Sequence, residues 1–114
     1  RSGGDVLAAD YVAHWIRLRE IREIYIRATA GYDALICPTA PILPPNLERL
    51  NNDPDYYRVE NLLALRNTRV GNLMGLASLT IPTPVPSCGI MLNGPAGSEE
   101  KLLRLGVSVA NALT

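Results

Sequence analysis

One helix sets the scale for everything else in this chain. From Val6 to about Ala30, the residues Leu7, Tyr11, His14, Leu18, Ile21, Tyr25 and Ala28 recur at alternating spacings of four and three, which places them in one stripe. Asp5 after Gly3-Gly4 supplies an N-cap, and Gly31 supplies the stop. Arg17, Glu20, Glu23 and Arg27 lie off the stripe, while Trp15, Ile16 and Ile24 widen its apolar side. At about 1.5 Å per residue such a helix is ~37 Å long. A compact domain of 114 residues is only ~27 Å across by radius-of-gyration scaling. The helix is therefore expected to cross a body larger than these residues can build.

The remaining pattern alternates short strands with helices. Ala34-Leu35-Ile36-Cys37 is a continuous apolar run closed by Pro38, which predicts a short strand buried on both faces. The Pro- and Asn-rich stretch from Pro38 to Pro54 reads as a long loop. Asp53-Pro54 then offers an N-cap and an N1 proline for a second helix through Leu65. Asn67 to Gly75 reads as a break and a short helical turn, with Gly71 and Gly75 as punctuation. Ser78 to Ile81 and Ile90 to Leu92 read as two further strands, and the short connection between them favours antiparallel pairing. Ser98 caps a last helix in which Gly106 marks a close backbone approach. The order is α-β-α-β-β-α, the pattern of an α/β fold and of one end of a larger mixed sheet.

Charge and composition exclude several classes. Lys plus Arg and Asp plus Glu both total 11, so there is no basic excess to neutralise phosphates, and nucleic acid is not an expected partner. Hydrophobic residues at 47% against charged ones at 19% describe a packed chain rather than a disordered one. No apolar run reaches the ~20 residues of a membrane span. Two cysteines, Cys37 and Cys88, make no disulfide framework; they are expected to be reduced and largely buried, in a cytoplasmic setting. The chain opens on Arg1 rather than Met, and we expect a piece of a longer protein, with residues 1–5 as linker or cloning residues.

Residue chemistry offers no complete active site. His14, the sole histidine, sits on the helix stripe, where a packing role is expected. One histidine and two distant cysteines make no zinc spacing, and no phosphate-binding glycine loop is present, so neither metal nor cofactor is expected. Asp53, Asp55, Glu99 and Glu100 all stand at helix starts, where carboxylates suit the amide-rich end.

Three segments resemble one known family. Tyr32-Asp33-Ala34-Leu35-Ile36-Cys37-Pro38-Thr39-Ala40-Pro41 is similar to the "YDALLxPTxP" strand and loop late in amidase signature family enzymes. Asn67-Thr68 with the run from Asn72 to Pro82 resembles that family's "T…NxxGxxxLxxP" segment. The run from Cys88 to Pro95, then Ser98-Glu99-Glu100 and Leu102-Leu103, resembles its closing "xGxxLxGPxGxExxLL" strand and helix. Cys88-Gly89-Ile90 stands where many members have "GLPVG", which marks a divergent branch.

The resemblance implies the end portion of the amidase signature fold: a single C-terminal fragment, residues 1–114, of an amidase domain. It implies hydrolysis of carbon–nitrogen amide bonds by a Ser–cis-Ser–Lys triad that lies upstream of these segments and maps onto no residue here. Lys101, the sole lysine, sits beside Glu99 and Glu100 at a helix start, which opposes a neutral lysine, and Ser2-Gly3-Gly4 leads into a helix rather than a serine-glycine signature. No catalytic residue is therefore assigned. Pro38, Thr39 and Asn72, with the loop from Asn46 to Tyr57, are substrate-pocket candidates by the same resemblance; strand termination and helix capping are their local alternatives. The expected partners are a small-molecule amide in the parent enzyme and the remainder of the amidase domain. The isolated chain is expected to form homo-oligomers. A non-enzymatic interaction or regulatory module derived from the same fold is the competing function, and aliphatic amides, aryl amides, allophanate and amidated tRNA remain open as substrates.

Overall fold

The computed structural model describes residues 2–113; Arg1, on which the expectation of a cut N-terminus rests, lies outside them. A 3₁₀ turn Ser2–Asp5 precedes helix α1, Ala8–Thr29. The helix starts later than expected. Asp5 belongs to the 3₁₀ turn, and Leu7, which has no polar side chain, stands at the N-cap without a capping bond.

The central unit is a three-stranded sheet of β1 (Leu35–Pro38), β2 (Ala77–Pro82) and β3 (Gly89–Gly94) in the order β1-β3-β2. Both pairings are antiparallel, with Ile36 and Leu79 opposite Leu92 from either side. The short β2–β3 connection indeed gives a hairpin. Alternation along β3 divides its side chains. Leu92 and its β2 neighbour Leu79 face helix α5, Glu99–Leu113, where Ala77, Ile81, Leu92 and Leu102 form the buried core. Gly106 permits that approach: a Cβ there would lie 2.5 Å from Leu79 Cδ2 and would push that side chain aside.

The opposite face meets helix α4, Arg66–Met74, which runs through Gly71 instead of breaking there. Gly71 is buried, and a Cβ on it would meet Ser78 Oγ at 3.0 Å and Asn93 Oδ1 at 3.4 Å. Gly75 does end the helix, at φ 69°, with its amide on the Asn72 carbonyl. The expected long loop contains helix α2, Leu47–Asn52, capped by Asn46 through the Arg49 amide at 2.9 Å. Asp53 then caps helix α3, Pro54–Ala64, through the Tyr56 amide at 2.9 Å, as its sequence position demands.

Two expectations of burial fail, that of β1 and that of the cysteines, while the expected exposure of α1 is found. β1 is an edge strand with Ile36 64% exposed, because α5 lies over β2 and β3 and nothing among the described residues covers β1 on that side. In α1 no residue is buried; Leu18, Arg22, Tyr25 and Thr29 are half-buried. Its helical neighbour α4 has nine residues, about 14 Å of axis, too short to cover the stripe up to Tyr11 and Leu7. The two cysteines are free, as expected, but half-buried rather than buried.

The result is a slab of 49 × 43 × 19 Å with a radius of gyration of 17.2 Å, against about 13 Å for a compact chain of this length. Its accessible surface is 8601 Å², against about 6,100 Å² for a closed globule of this mass. No helix among the described residues is long and apolar enough to cross a membrane.

Candidate functional site

β1 ends in Pro38, whose ring removes a donor, and the ladder continues one residue on through the Thr39 amide to the Gly89 carbonyl at 2.9 Å. The chain beyond Thr39 then peels away from the sheet. Between this strap and the β2–β3 connection lies a cleft of about 590 Å³. Thr39 donates to the Thr80 hydroxyl at 3.3 Å on its wall. Gly89 makes room for that pair, since a Cβ there would meet Thr39 Oγ1 at 3.0 Å and Thr80 Cγ2 at 3.2 Å. Thr83 fixes the opposite rim: its hydroxyl donates to the Cys88 carbonyl at 3.1 Å and accepts from the Val85 amide at 3.3 Å.

Of the three candidates named from sequence, Pro38 and Thr39 share this cleft. Asn72 is exposed on α4 and is not among the lining residues; its carbonyl accepts the helix-ending Gly75 amide at 3.3 Å. The residue that does reach the site from α4 is Asn67, whose Nδ2 donates to the Pro38 carbonyl at 2.7 Å. Asn67 thereby clamps the end of β1 to the helix. The loop from Asn46 to Tyr57 is taken up by α2, where the Asn46 amide donates to the Tyr56 hydroxyl at 3.3 Å, and it supplies no lining residue to the cleft.

A second polar group lies under α4 and α1. Asn93, 9% exposed, accepts from the Ser78 hydroxyl at 2.7 Å and donates to Cys37 Sγ at 3.5 Å. It therefore knits all three strands from the middle one. Tyr25 of α1 lines a cavity of about 220 Å³ with Cys37, Asn67 and Asn93. Burial raises the Tyr25 phenol above its ordinary pKa, and the nearby Cys37 thiol adds to the effect. An amide, a thiol and a protonated phenol make no nucleophile–base pair, so this cluster is a structural lock.

The other titratable groups are dispersed. Lys101 Nζ lies 2.7 Å from Asp33 Oδ1, an exposed pair that commits the ammonium to a carboxylate and not to a hydroxyl. Lys101 first by hydrogen bond, then by charge, holds the Asp33 carboxyl below its usual range. His14 is exposed on α1. Among the described residues no group of three His, Cys, Asp or Glu side chains is placed to hold a metal ion.

A family model described as Amidase matches residues 3–103. A 2-amino-5-chloromuconic acid deaminase of Comamonas testosteroni is 32% identical over 68% of this chain and 17% of its own length. A glutamyl-tRNA(Gln) amidotransferase subunit from Salinibacter ruber is 37% identical over 78% of this chain and 18% of its own length. Its counterpart from Streptococcus pneumoniae is 30% identical over 86% of this chain and 21% of its own length. The chain thus spans about a fifth of the curated relatives it matches. No solved structure matches it.

Proposed function

This chain belongs to the amidase family, and on that premise we propose that it is the C-terminal part of an enzyme hydrolysing carbon–nitrogen amide bonds, inactive by itself. The observation that carries this reading is a family match along residues 3–103 in a chain one fifth the length of its relatives. The nucleophilic serine, the bridging cis-serine and the lysine base of the proposed mechanism belong to the rest of the domain. An alcohol attacks only when a base takes its proton, and a lysine serves only when it is neutral. Lys101, exposed and paired with Asp33, has neither the setting nor, among the described residues, a serine partner.

The surface supports the same reading. An excess of about 2,500 Å² over a closed globule is more than one side of a standard interface. It includes Tyr11, Val12, Trp15, Ile16 and Ile24 of α1. The remainder of the amidase domain is the proposed cover. A second copy is the proposed cover when the chain is alone, and the free thiols suit a cytoplasmic setting. The same exposed helix would suit a non-enzymatic docking module, the competing reading.

Ammonia release from a panel of amides tests the proposal. The chain alone should stay at background, and activity should appear when the upstream coding segment is restored. Activity of the purified chain that vanished in Lys101→Ala would overturn it. An upstream reading frame without a serine-glycine signature and a lysine would favour the docking module.

A further inference from the structure

We propose that the cleft beside Thr39 binds the uncharged, apolar acyl part of a small amide and rejects acyl groups that carry a carboxylate. This rests on the amidase reading and names the substrate class of that site.

The walls are rigid and neutral. Four prolines line the cleft, Pro38, Pro41, Pro82 and Pro86, and their fixed φ lowers the ordering cost of binding. Ser87, at φ 61° in the left-handed region, turns the chain back into β3 at its rim. The volume of about 590 Å³ falls within the ~300–1,000 Å³ of small-molecule sites. Ile42, Leu43 and Val85 supply apolar surface, and none of the described lining residues is charged. No helix begins among them, so no backbone dipole replaces the missing cation. A carboxylate entering this space loses its water without a partner, which is among the more costly events in recognition.

The polar groups on the lining are neutral, the hydroxyls of Thr39, Thr80, Thr83 and Ser87 and the Cys88 thiol. The Thr39 and Thr80 hydroxyls lie 3.3 Å apart, and a single bond between two hydroxyls leaves one proton for a ligand carbonyl. The bond is long for two hydroxyls, so exchanging it for a ligand costs little. The Thr83 hydroxyl is committed to the loop backbone and adds no competing donor. A neutral amide or acyl carbonyl on an apolar tail satisfies both the hydroxyl and the walls.

Backbone-amide NMR titration of this chain with hexanamide and with hexanoate, equal in length and differing in charge, decides the matter. Hexanamide should shift Thr39, Thr80 and Gly89, and should bind at least about tenfold more tightly than hexanoate. Thr80→Val should weaken hexanamide about fivefold, as expected for one hydrogen bond. Val85→Lys, on an exposed rim position, should raise hexanoate to at least equal affinity. Equal binding of hexanoate to the unaltered chain, shifts confined to α1, or an unchanged affinity in Thr80→Val would each overturn the proposal. An intact longer protein that hydrolysed no amide would sink the amidase reading and leave these affinities standing. One that hydrolysed carboxylate-bearing amides preferentially would sink this proposal alone.

Discussion

The two faces of the sheet are finished to different degrees. On one, α5 closes over β2 and β3 with Leu92 fully buried and Leu102 at 2% exposure. On the other, α4 approaches closely at Gly71, but α1 behind it buries no residue. The first face is closed over β2 and β3 but leaves Ile36 of β1 exposed, and the second ends in a helix whose apolar residues face water. Large apolar residues occur on both sides, Leu79, Ile81 and Leu92 on the first and Tyr11, Trp15, Ile16 and Ile24 on the helix behind the second. The second side also carries the polar Ser78 and Asn93, and less of the described chain lies opposite its helix.

The largest test of the contrast is a pair of truncations. Leu92→Ala should cost about 2–5 kcal/mol in denaturant unfolding, by lost burial and the cavity left behind. Ile24→Ala, at 54% exposure, should stay within about 0.5 kcal/mol. A comparable loss at both sites would mean that α1 is covered after all.

Association comes next. Light scattering should give a mass above 12.4 kDa, and Ile16→Lys with Ile24→Lys should reduce it, since both positions lie on the exposed helix. A stable monomer that binds no apolar dye would erase the distinction between the faces.

Arg22 sharpens the comparison where a side-chain hydrogen bond fastens α1 to α4. Its Nε donates to the Leu73 carbonyl at 2.7 Å in the last turn of α4, and its guanidinium lies 5.7 Å from the Trp15 ring centroid. Arg22→Ala should loosen α1 by about 1 kcal/mol, through the lost charged hydrogen bond and the lost cation at a helix C-terminus. Hydrogen exchange should quicken in α1 while the amides of β3 keep their protection.

The smallest effect is one of pH. The Asp33 carboxyl is lowered by Lys101, and the Asp53 carboxyl chiefly by the Tyr56 amide, with Arg49 adding to it. A folded value below the unfolded one stabilises the fold above the unfolded value near 3.8. That contribution is lost as pH falls through the lower folded values. Melting temperature should therefore drop slightly below the carboxylate range, and Lys101→Ala should remove the part due to Asp33. The Asp33–Lys101 pair is exposed, so added salt should shrink the Lys101 share.

What sequence made legible was local. Asp53-Pro54 announced the start of α3, and the short Pro-rich connection announced the hairpin, because each signal lies within a few residues of its effect. Gly106 was readable as a close approach because glycine inside an apolar helix is costly without one. The α2 turn escaped notice because prolines and asparagines dominate its surroundings, although Asn46 is an ordinary cap. Asn67 was present in a recognised motif, yet its bond to Pro38 spans 29 positions, and nothing nearby distinguishes it from Asn72. The three-strand clasp of Asn93 needs the register before it can be seen.

The buried core has a consequence for how the chain folds. Ala77, Ile81, Leu92 and Leu102 come from one uninterrupted stretch, a hairpin followed directly by a helix. The loops that must close to bring them together are short, so the entropic toll is small and nucleation does not wait for α1. β1 joins later, across the long detour through α2, α3 and α4 to reach β3. Substitutions at Leu92 and Leu102 are thus expected to slow refolding, and those at Leu35 or Tyr25 mainly to hasten unfolding, a division that stopped-flow kinetics would read directly.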